Sequence, residues 1–379
     1  MPEPIEFDIQ VVDDPGCDPC TAYDLLRAYT PGRASFLFET RDHDHADARY
    51  SIVGYRVRQG GLMPPGVDAI DVLGKDLVGD RPETFAESIA RGTVGYLSAS
   101  SALLKRGIRL FEDEGPSGHL VTNAAVLVYD HREGTHVVAA PKQRDQAERL
   151  VYELETALKK AGDRPAAPTV APDTTPTDFK RWFDAAKLEK RHARAKPFFG
   201  DEVDAIVLYQ MYIVRQNDAD PFTAYRALRQ ARPGPFGYFI DFGQSPMAPE
   251  IQLFGVGGEI LHQHRREDGE PTPGALTSAL HDALPHPSTF GRPPEKAAKL
   301  LRKVEQNARL IWGGAVGYAC PGGEASLLLA DDAVFAQDGN FWVGRGLEID
   351  GDSDATTIAD RLDADAQPTL AALAAVVNG

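Results

Sequence analysis

The chain has 379 residues, of which 42% are hydrophobic and 25% charged, enough for a well-buried core. Its formal net charge of −16, from 40 Lys and Arg against 56 Asp and Glu, argues against nucleic acid as the main partner. No apolar run nears the roughly 20 residues that span a bilayer, the start MPEPIEFDIQ lacks a signal-peptide core, and three cysteines cannot build a disulfide framework, so a cytoplasmic chain with no membrane partner is expected.

The first half carries strand-like runs: RASFLFET (33–40), RYSIVGYRV (49–57), TVGYL (93–97), LVTNAAVLVYD (120–130) and THVVAA (135–140). A helix follows, with Ala147, Leu150, Val151, Leu154 and Leu158 on one face, ending at Gly162. Residues 163–177, DRPAAPTVAPDTTPT, contain four prolines and almost no large apolar side chain, so they read as a semi-rigid linker. This divides the chain into an N-terminal portion (1–162), the linker, and a C-terminal portion (178–379), with the two portions packing as one sandwich.

Phe179, Trp182, Phe183 and Ala186 have helical spacing just after the linker. Strand runs follow: DAIVLYQMYIV (204–214), FGYFIDF (236–242), IQLFGV (251–256), EILHQH (259–264), GAVGYA (314–319), SLLLA (326–330) and NFWV (340–343). Between them one helix starts with Asp220 as N-cap and Pro221 at its first position. Another carries Ala297, Leu300, Leu301, Val304, Ala308 and Ile311 on one stripe. Strand runs separated by few, long helices predict an α+β fold with two large antiparallel sheets and flanking helices.

Chemistry is sparse. Cys17-Asp18-Pro19-Cys20 has the spacing of half a zinc site, but no second pair completes it, so it reads as a turn. His262 and His264 share one strand face and read as a polar strand end. His43 and His45 read as part of a hairpin loop. Glu348, Asp350, Asp352 and Asp354 alternate along one acidic stretch. They could hold a hard cation weakly, though the glycine and terminal glutamate of a calcium loop are misplaced. There is no Gly-rich phosphate loop, nucleophile elbow or HExxH.

Taken in order, several segments resemble component I of anthranilate synthase and other chorismate-utilising enzymes. TAYDLLRAYTPGRASFLFETRDHDHADARYSIVGY is similar to the family's Leu-Leu-Glu-Ser and Arg-Tyr-Ser-Phe-Ile-Gly strands. RGTVGYL (91–97) is similar to its Gly-Ala-Val-Gly-Tyr segment. DPFTAYRALRQARPGPFGYFIDFG (220–243) resembles its Asp-Pro-Phe helix, Pro-Ser-Pro-Tyr loop and Phe-Leu-Asp-Phe strand. Pro249-Glu250, GGAVGYA (313–319) and GDSDA (351–355) match further landmarks. The resemblance implies the family's fold, shortened in the second half.

The departures bear on activity. The family's Pro-Ile-Ala-Gly-Thr-Arg strand is replaced by HQHRRED, and the stretch carrying magnesium carboxylates and a catalytic histidine is missing. Pro294 stands at a motif lysine, Asp332 at the substrate-gripping arginine, and Ile358 at the late magnesium glutamate. An aspartate repels chorismate's carboxylates, and isoleucine cannot ligate a hard cation. Magnesium is therefore implied by the resemblance while its ligands are absent, and no catalytic residue can be assigned. Gly344-Arg345-Gly346-Leu347-Glu348 stands where the family has Gln-Ala-Gly-Ala-Gly.

Some family members bind tryptophan between the Glu-Ser strand and the Pro-Ser-Pro-Tyr loop. The counterparts here lie in Glu39-Thr40, Arg49-Tyr50-Ser51 and Pro233-Gly234-Pro235-Phe236. This gives a ligand set of Glu39, Thr40, Ser51, Pro235 and Phe236, with Glu39 meeting an α-ammonium and Phe236 covering an aromatic or apolar group. Three functions follow. One is an anthranilate or aminodeoxychorismate synthase component I-like protein with altered chemistry. The second is a catalytically inactive homologue binding an amino acid or aromatic acid. The third is an interaction protein docking a glutaminase subunit or an intact paralogue.

Overall fold

The computed structural model describes residues 6–12, 17–41, 49–57, 61–77, 82–108, 115–122, 125–142, 146–160, 179–244, 250–265, 268–269, 274–305 and 307–378. The Pro-rich segment 163–177 and the histidines at 43 and 45 lie outside them.

Two antiparallel sheets build the molecule. The larger has the strand order Phe7–Val12, Thr135–Pro141, Ala125–Asp130, Tyr50–Tyr55, Ser35–Thr40, Phe236–Asp241, Gln252–Val256, Ala333–Gln337, Asn340–Ile349, Ala205–Arg215 and Gly291–Arg292. The short strand Phe179–Arg181 also joins Ala205–Arg215. The first and second halves of the chain meet in this sheet where Ser35–Thr40 pairs with Phe236–Asp241, placing Thr40 opposite Phe236 and Glu39 opposite Gly237. The smaller sheet orders Ile260–His264, Ala325–Leu329, Ala315–Ala319, Thr93–Leu97, Gly118–Thr122 and Leu62–Met63.

Alternation decides what each strand buries. Phe36, Phe38, Ile52, Tyr238 and Ile240 pack in one cluster with Val94, Val121, Val316 and Leu328 of the smaller sheet, so the two sheets face each other. Leu37, Val53 and Phe239 point to the opposite face. There they meet Tyr23, Leu26, Leu150, Phe222, Tyr225, Leu370 and Leu373 from the covering helices. Strands buried on both faces have no reason to alternate polar and apolar residues, which is why these runs read as continuously hydrophobic.

Several expectations are corrected. The run 120–130 is two strands in different sheets, Gly118–Thr122 and Ala125–Asp130. Phe179–Arg181 is a strand, and the helix starts only at Ala185, where the Asp184 carboxylate accepts from Lys187 N at 2.8 Å. The Cys17–Cys20 stretch is the start of a helix, Pro19–Arg27, capped by Asp18. Helix Pro221–Ala231, capped by Asp220, stands as expected. No described helix is long and apolar enough to cross a membrane.

Candidate functional site

Two places matter: the second-half region that the resemblance makes catalytic, and the first-half cleft beside Glu39.

At the first of these, space is filled. Gly344 and Gly346 lie on strand Asn340–Ile349, and the Trp312 indole lies flat against them. A Cβ at Gly344 would come within 2.6 Å of the indole, and one at Gly346 within 2.3 Å. Only glycine at both positions admits the ring. Trp312 Nε1 donates to Asp331 O at 2.8 Å, and Tyr209 packs on the indole with ring centroids 5.1 Å apart. Arg309 and Glu305 complete a buried plug. Arg309 Nε and Nη2 each reach a Glu305 carboxylate oxygen at 2.7 Å, and Nη2 also donates to Val207 O at 2.6 Å. The guanidinium sits 4.9 Å from the Phe290 ring centre and 5.3 Å from that of Trp312. A buried ion pair persists only when its remaining donors and acceptors are met, as here.

Asp332, at the arginine position, is held by two cations. Arg345 Nη2 lies 2.6 Å from one carboxylate oxygen and Arg232 Nη2 2.7 Å from the other. Arg345, standing in the run that replaces the family's small residues, is itself buried. The two substitutions thus answer each other: an anion where a cation is expected, and a buried arginine that neutralises it. Ile358 is fully buried beside Leu188 and Leu362, and Pro294 is simply the first residue of helix Pro294–Val304. These residues do not fit magnesium, which takes oxygen donors.

The acidic stretch is not gathered either. Glu348 pairs with Arg292 at 2.9 Å. Asp350 accepts from Ser353 Oγ at 2.7 Å and Asp352 N at 3.1 Å, which holds its carboxyl below the usual range. Asp354 caps a helical turn by accepting from Thr356 N and Oγ1. Among the described residues, the carboxylate and imidazole atoms that converge within 4.8 Å in a group of three belong to Asp68, Asp71 and His281 instead. Cys20 is buried, and burial together with the charge of Glu39 pushes its thiol up to about 12, so it stays protonated.

The first-half cleft is open. Its empty space, open solvent included, is about 640 Å³. Glu39, Thr40 and Phe236 line it. Ser51 and Pro235, read as ligand residues from the sequence, are not among the residues that line it; each instead accepts from a backbone N–H of its neighbouring strand segment. Ser51 Oγ accepts from Thr40 N at 2.9 Å, and Pro235 O accepts from Arg41 N at 2.7 Å. Four more aromatic rings, Phe38, Tyr50, Phe85 and Tyr318, also line it, with Tyr50 and Phe85 stacked 4.0 Å apart. Arg49, Gln263, His264 and Arg265 bring polar groups to the rim. Arg49 and Tyr50 are legible in the resembling segment, and His264 and Arg265 come from the segment that departs from it.

Glu39 is buried, and its Oε1 accepts from Arg229 Nε at 2.7 Å and from the Tyr225 hydroxyl. Its charge is therefore already shared inside the protein. Burial, then the charge of Glu39, raises the Tyr225 hydroxyl well above its ordinary value, so Tyr225 is the donor.

Comparison with known proteins agrees with the fold. Residues 258–357 match the family model described as chorismate binding enzyme. Anthranilate synthase component 1 of Streptomyces coelicolor is 22% identical, over 90% of this chain and 83% of that protein. Aminodeoxychorismate synthase of Streptomyces griseus is 30% identical, over 53% of this chain and 28% of that protein. The solved anthranilate synthase component I of Streptococcus pneumoniae superposes with TM-score 0.68 at 19% identity, covering 86% of this chain and 93% of that one. The menaquinone-specific isochorismate synthase of Escherichia coli gives 0.66 at 12% identity, covering 98% and 95%. The chain is similar in sequence to the chorismate-binding enzymes over residues 258–357 and to anthranilate synthase component 1 and aminodeoxychorismate synthase, and it shares the fold of the solved chorismate-utilising enzymes.

Proposed function

We propose that this chain keeps the fold of the chorismate-utilising enzymes without their magnesium-dependent chemistry, and that it binds an aromatic acid or amino acid in the first-half cleft. The observation that carries this is the Trp312 indole lying on Gly344 and Gly346, sealed by the Arg309–Glu305 pair, while the Glu39 cleft stays open. An aromatic ring entering the cleft finds five aromatic side chains, and its polar groups meet Glu39 and Thr40 on one side and the basic rim on the other.

The test uses purified full chain in two arms. A thermal-shift panel of the amino acids, chorismate and simple aromatic acids should contain at least one compound that raises the melting temperature, because a ligand of the native state stabilises it. Incubation with chorismate, ammonia and magnesium should give no fluorescent anthranilate. A panel without a hit sinks the binding reading, and sustained anthranilate production restores the enzymatic one. The relatives' designation as component 1 supports a second reading, docking of a glutaminase subunit or an intact paralogue. Co-migration with such a subunit in size-exclusion chromatography tests it.

A further inference from the structure

Away from both clefts, Asp68, Asp71 and His281 bring two carboxylates and an imidazole to one point. Asp68 caps helix Ala69–Asp76, and Asp71 lies in that helix's first turn, three residues on and therefore on the same side. His281 comes from helix Ala275–Ala283 in the second half of the chain. The two helices are locked in close approach, since a Cβ at Gly74 would come within 2.4 Å of Thr277 Cγ2. That contact lies one turn from Asp71 on one helix and one turn from His281 on the other.

The donor geometry exceeds what an ion pair needs. His281 Nε2 lies 3.1 Å from Asp71 Oδ1 and 3.6 Å from Asp68 Oδ2. One ring nitrogen has one proton and can satisfy only one of them. Asp68 Oδ1 is occupied by the backbone N–H groups of Ile70 and Asp71, which aims the other oxygen at the histidine. Donors bonded to a zinc-sized ion at about 2.0–2.1 Å stand roughly 3.3 Å apart along a tetrahedral edge. The observed separations bracket that spacing. His281 is nine-tenths buried; its Nε2 faces the two carboxylates, and its Nδ1 has no hydrogen-bond partner among the described residues. Lys105 Nζ, 3.3 Å from Asp71 Oδ2, is the competing cation, but its side chain is half exposed and can swing into solvent.

We infer that Asp68, Asp71 and His281 form a three-ligand site for a divalent transition-metal ion that clasps the second-half helix Ala275–Ala283 to the first-half helix Ala69–Asp76. An imidazole with two carboxylates suits zinc-like ions better than magnesium or calcium. Ligation through Nε2 uses that atom's lone pair, so the single proton of the neutral ring then sits on Nδ1. The ion leaves coordination positions for water.

Chelator-treated full chain is titrated with Zn²⁺ by calorimetry and with Co²⁺ by visible absorption. One equivalent should bind, and the melting temperature should rise with it. His281→Ala should weaken binding at least 30-fold, and Asp71→Asn, at a half-exposed residue that tolerates substitution, about 10-fold. If His281→Ala does not fold, Asp71→Asn and Asp68→Asn decide. Absence of a site below millimolar Zn²⁺ leaves a plain His–Asp ion pair and overturns the inference. So does affinity unchanged in the variants, and so does a near-ultraviolet thiolate band placing the ion on Cys17 and Cys20.

Discussion

Glu39 and Gly237 face each other across paired strands, and their contact sets what the cleft can tolerate. A Cβ at Gly237 would lie 2.4 Å from the Tyr225 hydroxyl and 3.0 Å from Glu39 Oε1, both buried. Gly237→Ala must displace that pair, at a cost of about 1–3 kcal/mol. The expected fall in melting temperature is several degrees, read by thermal unfolding. Glu39→Gln keeps the shape but removes the charge shared with Arg229. If Glu39 also meets a ligand's ammonium, affinity for the panel hit should drop by about 1.5–3 kcal/mol, the range for a hydrogen bond to a charge. A drop in melting temperature with unaltered affinity assigns Glu39 to the wall alone. Residue identity made Glu39, Thr40 and Phe236 legible, because they sit in segments that resemble the family. It hid the partners Tyr225 and Arg229, some 190 residues away in sequence, since register between distant strands and helices is not written locally.

Local signals gave the elements whose boundaries are chemical. Asp220-Pro221 starts a helix because a carboxylate caps orphan N–H groups and proline needs no donor there. The same logic, applied to Asp18-Pro19, gives the helix Pro19–Arg27, a signal the cysteine spacing obscured. Phe179–Arg181 misled because helical spacing of aromatics there reflects an edge strand running into a capped helix. The closure of the second-half site was illegible for a different reason. Glycines 344 and 346 stand where the family has its small-residue run, and no local pattern tells that Trp312, from another element, lies on them. That packing is testable. Trp312→Ala should cost about 3–5 kcal/mol through the cavity it leaves. Glu305→Ala should cost a similar amount, because it strands the Arg309 charge, 7% exposed, without its carboxylate. Denaturant unfolding of each variant measures these losses. A loss below about 1 kcal/mol for Trp312→Ala shows that the indole does not plug the site.

At the scale of the whole molecule, charge sets the response to pH. Burial raises Asp241 and Asp331 from 3.8 to about 6 in the fold. A carboxyl whose folded value is raised adds stability below the unfolded value and loses it as pH climbs through about 6. His119, buried and stacked 4.1 Å from Phe242, is lowered from 6.5 to about 4. Its contribution is present above 6.5 and is lost as pH falls through 4. The two raised carboxyls together outweigh the one histidine between pH 6.5 and 4, since each spans a similar range at about 1.4 kcal/mol per pH unit. The net charge of −16 acts in the same direction, because self-repulsion eases as carboxylates protonate. Below about pH 4 the sign reverses. Asp220, lowered by Arg27, and Asp130, lowered by Arg49, then take up protons and their ion pairs are lost. Stability should therefore peak near pH 4, well below neutral pH. Urea unfolding at pH 7, 5 and 3, at protein concentrations low enough to avoid association, checks this. Asp241→Asn should raise stability at pH 7 by up to about 2–3 kcal/mol and flatten the rise toward pH 5. Its amide oxygen can still accept from Gly243 N, as the Asp241 carboxylate does at 2.8 Å. A wild type that is less stable at pH 5 than at pH 7, with Asp241→Asn indistinguishable from it at both, would place these carboxyls in contact with water and remove the basis of the prediction.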